Sequence, residues 1–144
     1  MNKSYRGVEI AFLGVLASFT IPTVSAREVT DQTGRRVNVP DNPQRIVSIA
    51  PSITETLYAL RLGNRLVGDT EYCDYPPEAR LKPHVGALLN PSLEKIVALK
   101  PDLVLGTDEA NRRETADQLA RLGIPLYRVT AHTVTRENRF AEVR

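Results

Sequence analysis

The chain predicts an α/β fold: a doubly wound, mostly parallel four-stranded sheet with helices on both faces, preceded by an N-terminal β-hairpin. Three observations carry that expectation. Four short runs are rich in β-branched residues, segments of helical periodicity separate most of them, and Gly or Pro stands at nearly every junction. Strands joined through single helices cannot be hairpin partners, so they should lie parallel, with right-handed crossovers and both faces covered.

The hairpin comes first. Glu28-Val29-Thr30 and Arg36-Val37-Asn38-Val39 flank Asp31-Gln32-Thr33-Gly34, a turn whose glycine accepts a left-handed conformation, and Pro40 and Pro43 close it off. Arg45 to Ala50 is the first sheet strand. Ser52 with Glu55 three residues later reads as a capping box, with Ile53, Thr56, Leu57 and Leu60 on one helical face and Gly63 as the stop. Leu66 to Thr70 is the second strand, and Pro76-Pro77 forbids a helix directly after it. A long loop through Lys82-Pro83-His84-Val85-Gly86 leads to Asn90-Pro91-Ser92, which opens a helix ending at Pro101. Asp102 to Thr107 is the third strand. Asn111 with Glu114 suggests another capping box, Ala116, Leu119, Ala120 and Leu122 an apolar stripe, Gly123 the stop, and Pro125 to Thr130 the fourth strand.

Composition narrows the class. With 144 residues, 42% hydrophobic and 25% charged, the chain is neither disordered, collagenous nor coiled coil, and one compact domain is expected. Nineteen basic against seventeen acidic residues give a net charge of +2, so neither nucleic acid nor an anionic membrane is expected as the main partner. The single cysteine, Cys73, leaves no internal disulfide, so stability must come from packing.

The first segment reads as a secretory signal. Lys3 and Arg6 precede an apolar run from Ile10 to Ile21, then Pro22 and the small residues Ser25-Ala26. The run is shorter than the roughly 18 residues a spanning helix needs, and Glu9 and Pro22 oppose an uncleaved anchor. The expected organisation is a signal peptide over 1–26, a lobe over 27–134 and an irregular or aberrant tail over 135–144, with export through the Sec-type pathway and no stable membrane insertion afterwards.

Topology locates a site before any motif does. In open α/β sheets ligands collect where loops leave the carboxyl ends of the strands. Four loops should meet there: Ala50-Pro51-Ser52, Glu71-Tyr72-Cys73-Asp74, Thr107-Asp108-Glu109 and Thr130-Ala131-His132. Nucleophile-elbow, zinc-protease, phosphate-loop and paired-cysteine motifs are all missing, and no catalytic residue is assigned. A thiol pair of Cys73 with His84 or His132 is the enzymatic alternative, against Cys73 as a small buried hydrophobe and His84 as a solvated loop residue. His132, nearer the rim, is the candidate metal ligand. Arg35-Arg36 and Arg112-Arg113 read as solvated pairs.

Four segments carry a resemblance. Ile49-Ala50-Pro51-Ser52-Ile53-Thr54-Glu55, Tyr72-Cys73-Asp74-Tyr75-Pro76-Pro77, Leu93 to Val104 and Asp117 to Ile124 follow one another in an order and spacing that closely resemble the cobalamin-binding periplasmic proteins. These belong to the wider iron and cobalamin class of substrate-binding proteins of ABC importers. The resemblance implies a binding protein for cobalamin or a related corrinoid, with no cofactor of its own, which delivers this metal-centred macrocycle to an ABC permease. It places Tyr72 against the corrin, where a phenol adds stacking area and one polar handle, puts Pro51, Ser52 and Thr107 on the ligand-lining rim, and gives Glu94 to permease docking. It also implies tryptophans at the positions of Leu88 and Thr107, whereas this chain has no Trp. Haem and ferric-siderophore binders of the same class use the same loops and are the alternative ligands, with Tyr72 or His132 near the iron. Members of the class hold ligand between two lobes of similar size, so this chain is expected to supply the N-terminal lobe only, as a fragment of a longer gene or as a truncated remnant without function.

Overall fold

A computed structural model describes residues 25–109 and 112–130. The segment read as a signal (but for Ser25 and Ala26), Asn111, His132 and the segment over 135–144 lie outside the described residues. In chain order the elements are β1 (Ala26–Thr30), β2 (Arg36–Pro40), β3 (Ile46–Ser48), α1 (Pro51–Ala59), β4 (Leu66–Gly68), a 3-10 turn (Pro77–Leu81), β5 (Gly86–Ala87), β6 (Asn90–Pro91), α2 (Leu93–Ala98), β7 (Leu103–Thr107), α3 (Arg113–Arg121) and β8 (Leu126–Val129).

The four-stranded sheet runs β4-β3-β7-β8 and every neighbouring pair in it is parallel. Alternation along the strands sorts the core into two layers, because successive side chains point to opposite faces. Val47, Ile49, Val104 and Leu126 pack with Ile96 of α2 and with Ala116 and Leu119 of α3. Ile46 and Leu66 pack with Ile53 and Leu57 of α1, and Leu105 and Val129 join this second cluster. The predicted doubly wound sheet, covered on both faces, is therefore what forms.

The hairpin also forms as read: β1 and β2 pair antiparallel from Ala26↔Pro40 to Thr30↔Arg36, and Gly34 turns between them with φ +82. It is tied to the sheet through its turn. Gln32 N–H donates to the Arg128 carbonyl at 3.2 Å, and the Gln32 side-chain oxygen accepts from the Thr130 N–H at 2.7 Å.

Several local expectations are corrected. Ser52 does not cap α1; Ala50 is the N-cap, without a side-chain bond, and Pro51 is already helical. The fixed φ of proline suits the first helical position, so the helix starts two residues too early for the Ser52 and Glu55 box. Gly63 does not supply the left-handed exit. Arg61 does, with φ 61, while a Cβ at Gly63 would fall on the Tyr58 ring, so this glycine is there for close approach. Pro91 lies in β6 rather than in α2, which is capped by Ser92 accepting from the Lys95 N–H at 3.3 Å. At α3 the N-cap position belongs to Arg112 and has no side-chain bond, so Asn111 does not hold it. Gly123 does take the left-handed conformation expected of it, with φ 73.

Candidate functional site at the switch point

The chain leaves β3 through α1 toward β4 on one side, then returns past β3 to reach β7 on the other. The loops after β3 and β7 therefore diverge, and the gap between them is a topological switch point, the place where open parallel sheets open a crevice. A cavity of about 360 Å³ sits there, lined by Ala50, Pro51, Ser52, Leu88, Leu89, Thr107 and Glu109.

Each wall has a local cause. Ser48 Oγ donates to the Ala50 carbonyl at 2.9 Å, and the Ile53 and Thr54 N–H groups point back to the same carbonyl, so the strand turns into α1 without a spacer. Ser52 consequently stands in the first helical turn, with its side chain exposed at the rim. Thr107 is the last residue of β7, paired with Val129, and is 6% exposed. Leu88 and Leu89 form the tip between β5 and β6, and Leu89 stays 55% exposed. The lining is thus mainly apolar, with the Ser52 and Thr107 hydroxyls on two walls and the Glu109 carboxyl group at the cavity, a composition that suits a largely apolar ligand with a few polar edges.

Three of the four residues expected at the ligand rim, Pro51, Ser52 and Thr107, come together in this cavity. Tyr72 does not line it. It sits in the loop after β4, at the same carboxyl edge of the sheet but one strand further out, and the residue is 60% exposed. Glu94 is exposed in the first turn of α2. The Leu88-Leu89 wall escapes a reading by periodicity because two residues at a turn have none; the cue is an apolar pair between Gly86 and Asn90-Pro91.

Beside the rim lies a polar cluster that corrects the reading of His84 as a solvated loop residue. His84 Nδ1 is 2.7 Å from Asp69 Oδ1, and the Asp69 side chain has no exposed surface. Burial raises the Asp69 carboxyl from 3.8 to about 6, against the lowering effect of the His84 hydrogen bond and of the His84 and Lys82 charges. Burial, then the Asp69 and Glu78 charges, also push the Tyr58 phenol up. Cys73 is not paired with His84. It is buried, and its sulfur lies 3.2 Å from both the Thr54 and the Thr70 hydroxyls, a packed environment that gives the thiol no activating base among the described residues.

The reading of Arg35-Arg36 as a solvated pair is corrected at Arg35, whose Nη1 donates to Asp117 Oδ1 of α3 at 2.6 Å; Arg36, with its side chain 78% exposed and a surface bond to Glu28 Oε1 at 3.3 Å, is solvated as read. Among the described residues there is no cluster of three or more His, Cys, Asp or Glu side chains able to hold a metal, and no helix long and apolar enough to cross a membrane.

Comparison with known proteins agrees with this architecture. Residues 46–143 match the family described as periplasmic binding protein. The vitamin B12-binding protein of Pectobacterium carotovorum subsp. carotovorum (strain PC1) is 41% identical over 92 residues, which are 64% of this chain and 33% of that protein. The crystal structure of the periplasmic vitamin B12-binding protein BtuF of Vibrio cholerae superposes with a TM-score of 0.57 at 39% identity, covering 65% of this chain and 36% of the other. A periplasmic haem-binding protein from Pseudomonas aeruginosa superposes with a TM-score of 0.60 at 31% identity, covering 62% and 32%. The chain spans about a third of the length of the curated relatives it matches. With a family match over more than half its residues and the sheet, crevice and rim loops in place, the chain belongs to the periplasmic binding protein family.

Proposed function

We propose that this chain is the N-terminal lobe of an exported, non-enzymatic substrate-binding protein that takes up cobalamin or a related corrinoid and presents it to an ABC permease. The observation that carries the reading is the crevice at the β3/β7 switch point, where Pro51, Ser52 and Thr107 meet two leucines in one apolar cavity. Tyr72, exposed one loop away on the same edge, supplies a flat phenol for the macrocycle, and Glu94, exposed on α2, supplies a carboxylate for docking to permease arginines. Relatives that bind vitamin B12 support the corrinoid. The similarity to a haem binder and the absence of Trp keep haem and ferric siderophores as competitors in the test.

A cavity of about 360 Å³ seats only part of one face of a substituted corrin, so weak binding is expected of this chain. The test is a titration with cyanocobalamin, haemin and a ferric hydroxamate siderophore, followed through ligand absorbance. Cobalamin should perturb its spectrum with a dissociation constant of roughly micromolar or weaker. Tyr72→Ala should weaken binding roughly 3- to 10-fold, the worth of one stacked ring. Tighter binding of haemin than of cobalamin overturns the corrinoid assignment, and nanomolar cobalamin binding overturns the one-face reading.

A further inference from the structure

We propose that Asp69 and His84 are positioning residues for the binding rim: their side-chain pair clamps the loop that carries Tyr72 to the limb that carries Leu88 and Leu89. The proposal rests on the reading of that rim as the ligand face.

Asp69 is the first residue beyond β4, and the Tyr72 loop follows it directly. His84 lies two residues before β5, whose turn presents the two leucines to the cavity. Between the two segments runs a short backbone ladder: Asp69 N–H to the Pro83 carbonyl at 3.1 Å, Val85 N–H to the Asp69 carbonyl at 2.7 Å, and Glu71 N–H to the Gly86 carbonyl at 3.2 Å. A ladder of this kind is indifferent to which residues it pairs, and a slip by one residue keeps most of its bonds. The side-chain pair is not indifferent. Any other register leaves the fully buried Asp69 carboxyl without His84, and a buried acid without a partner is strongly destabilising. The pair therefore selects one alignment of Tyr72 relative to Leu88 and Leu89.

The surroundings fit a clamp. Tyr58 from α1 and Lys82 from the end of the 3-10 turn are the other titratable groups facing Asp69, and Glu78 of that turn faces Tyr58. Asp69 Oδ2 and Tyr58 Oη are buried without a hydrogen-bond partner, so among the described residues the side-chain bond that holds the carboxyl is the one from His84.

The chain carries its own reporter. Cys73, its single cysteine, is adjacent to Tyr72 in the clamped loop, and its side chain is buried against Thr54 and Thr70. Opening of the loop exposes the thiol, so the rate of its reaction with an aromatic disulfide reagent under native conditions reads the clamp without any ligand. His84→Ala should raise that rate about ten-fold or more, the equivalent of losing one hydrogen bond to a charged group. His84→Asn places an amide N–H where Nδ1 stands and should restore most of the protection. Leu126→Ala, on β8 at the opposite edge of the sheet, lowers global stability while leaving the Asp69 and His84 side chains in place. The proposal is overturned if His84→Ala leaves the rate unchanged, if His84→Asn reacts as fast as His84→Ala, or if Leu126→Ala raises the rate as much for the same loss of melting temperature. Because the reagent reports on the loop alone, a failed ligand titration and a failed clamp are separate results.

Discussion

Asp69 holds a carboxyl group with no exposed surface, and its burial has a consequence for pH that can be worked out with sign. The group titrates at about 6 in the folded chain against an ordinary value of 3.8, so between those limits the folded state holds a proton that the unfolded state has released. Stability therefore falls as pH rises from about 4 to about 6, by an amount approaching about 3 kcal/mol for a shift of this size. Asp69→Asn should remove that slope: the difference in unfolding free energy between wild type and variant, measured in urea at pH 4.5 and at pH 6.5, should shift toward the variant at the higher pH. An unchanged difference across the window would show that the carboxyl does not carry the effect. Nothing in the sequence announced this residue. Fifteen positions separate Asp69 from His84, the two meet only in an isolated parallel bridge at the ends of the elements that carry them, and a pairing of that kind has no period to read.

At the level of elements, two of the three α-helices among the described residues leave through a residue that is poorly suited to the exit. Arg61 after α1 and Lys100 after α2 have φ of 61 and 48, a region where a Cβ is crowded and glycine is favoured, whereas α3 leaves through Gly123 at φ 73. Lys100→Gly and Arg61→Gly should each stabilise the chain by about 0.5–1 kcal/mol, since relief of the left-handed strain exceeds the extra backbone entropy of glycine. Equilibrium denaturation checks this, and a loss of stability in both variants would contradict it. The same two exits show where legibility stopped. The strands were readable because β-branched runs are punctuated by Gly and Pro, and α3 because its stripe, Ala116 and Leu119, ends just before a glycine that turns. The boundaries of α1 were not, because Pro51 starts the helix inside the apparent cap and Gly63 serves Tyr58 rather than the turn. The site followed the same division. Pro51, Ser52 and Thr107 could be placed from topology because strand ends define the rim, while the Leu88-Leu89 wall depends on a turn between strands of two residues each.

Across the whole molecule, the sheet has two edges, β4 and β8, and the hairpin guards the second of them. Asp31 in its turn accepts the Thr33 N–H at 2.9 Å, the Thr33 hydroxyl at 2.7 Å and the Arg35 N–H at 2.9 Å. Thr33 in turn accepts from Arg128 Nη2 at 2.7 Å, and the Arg128 guanidinium, almost wholly buried, faces Asp31 Oδ2 at 3.8 Å. Burial works to raise the Asp31 carboxyl, but the hydrogen bonds from Thr33, Arg35 and Arg128 outweigh it and hold the group below its ordinary value. Its contribution is therefore present above about pH 4 and is lost as pH falls further, the opposite slope to that of Asp69. The hairpin does more than decorate the N-terminus: it neutralises a buried cation on the edge strand and supplies the Gln32 bonds that satisfy backbone groups there. Asp31→Ala should then cost about 3–5 kcal/mol, because it strips a buried charge of its partner and undoes the turn together. Arg128→Met in the same background should recover much of the loss, since an apolar side chain of similar length needs no counter-charge. Thermal unfolding of the two variants, with hydrogen exchange at the Thr130 amide as a local readout, decides the matter: if Asp31→Ala melts like the wild type, or if Arg128→Met rescues nothing, the edge is held by packing of Val37 and Leu126 and not by the charge pair.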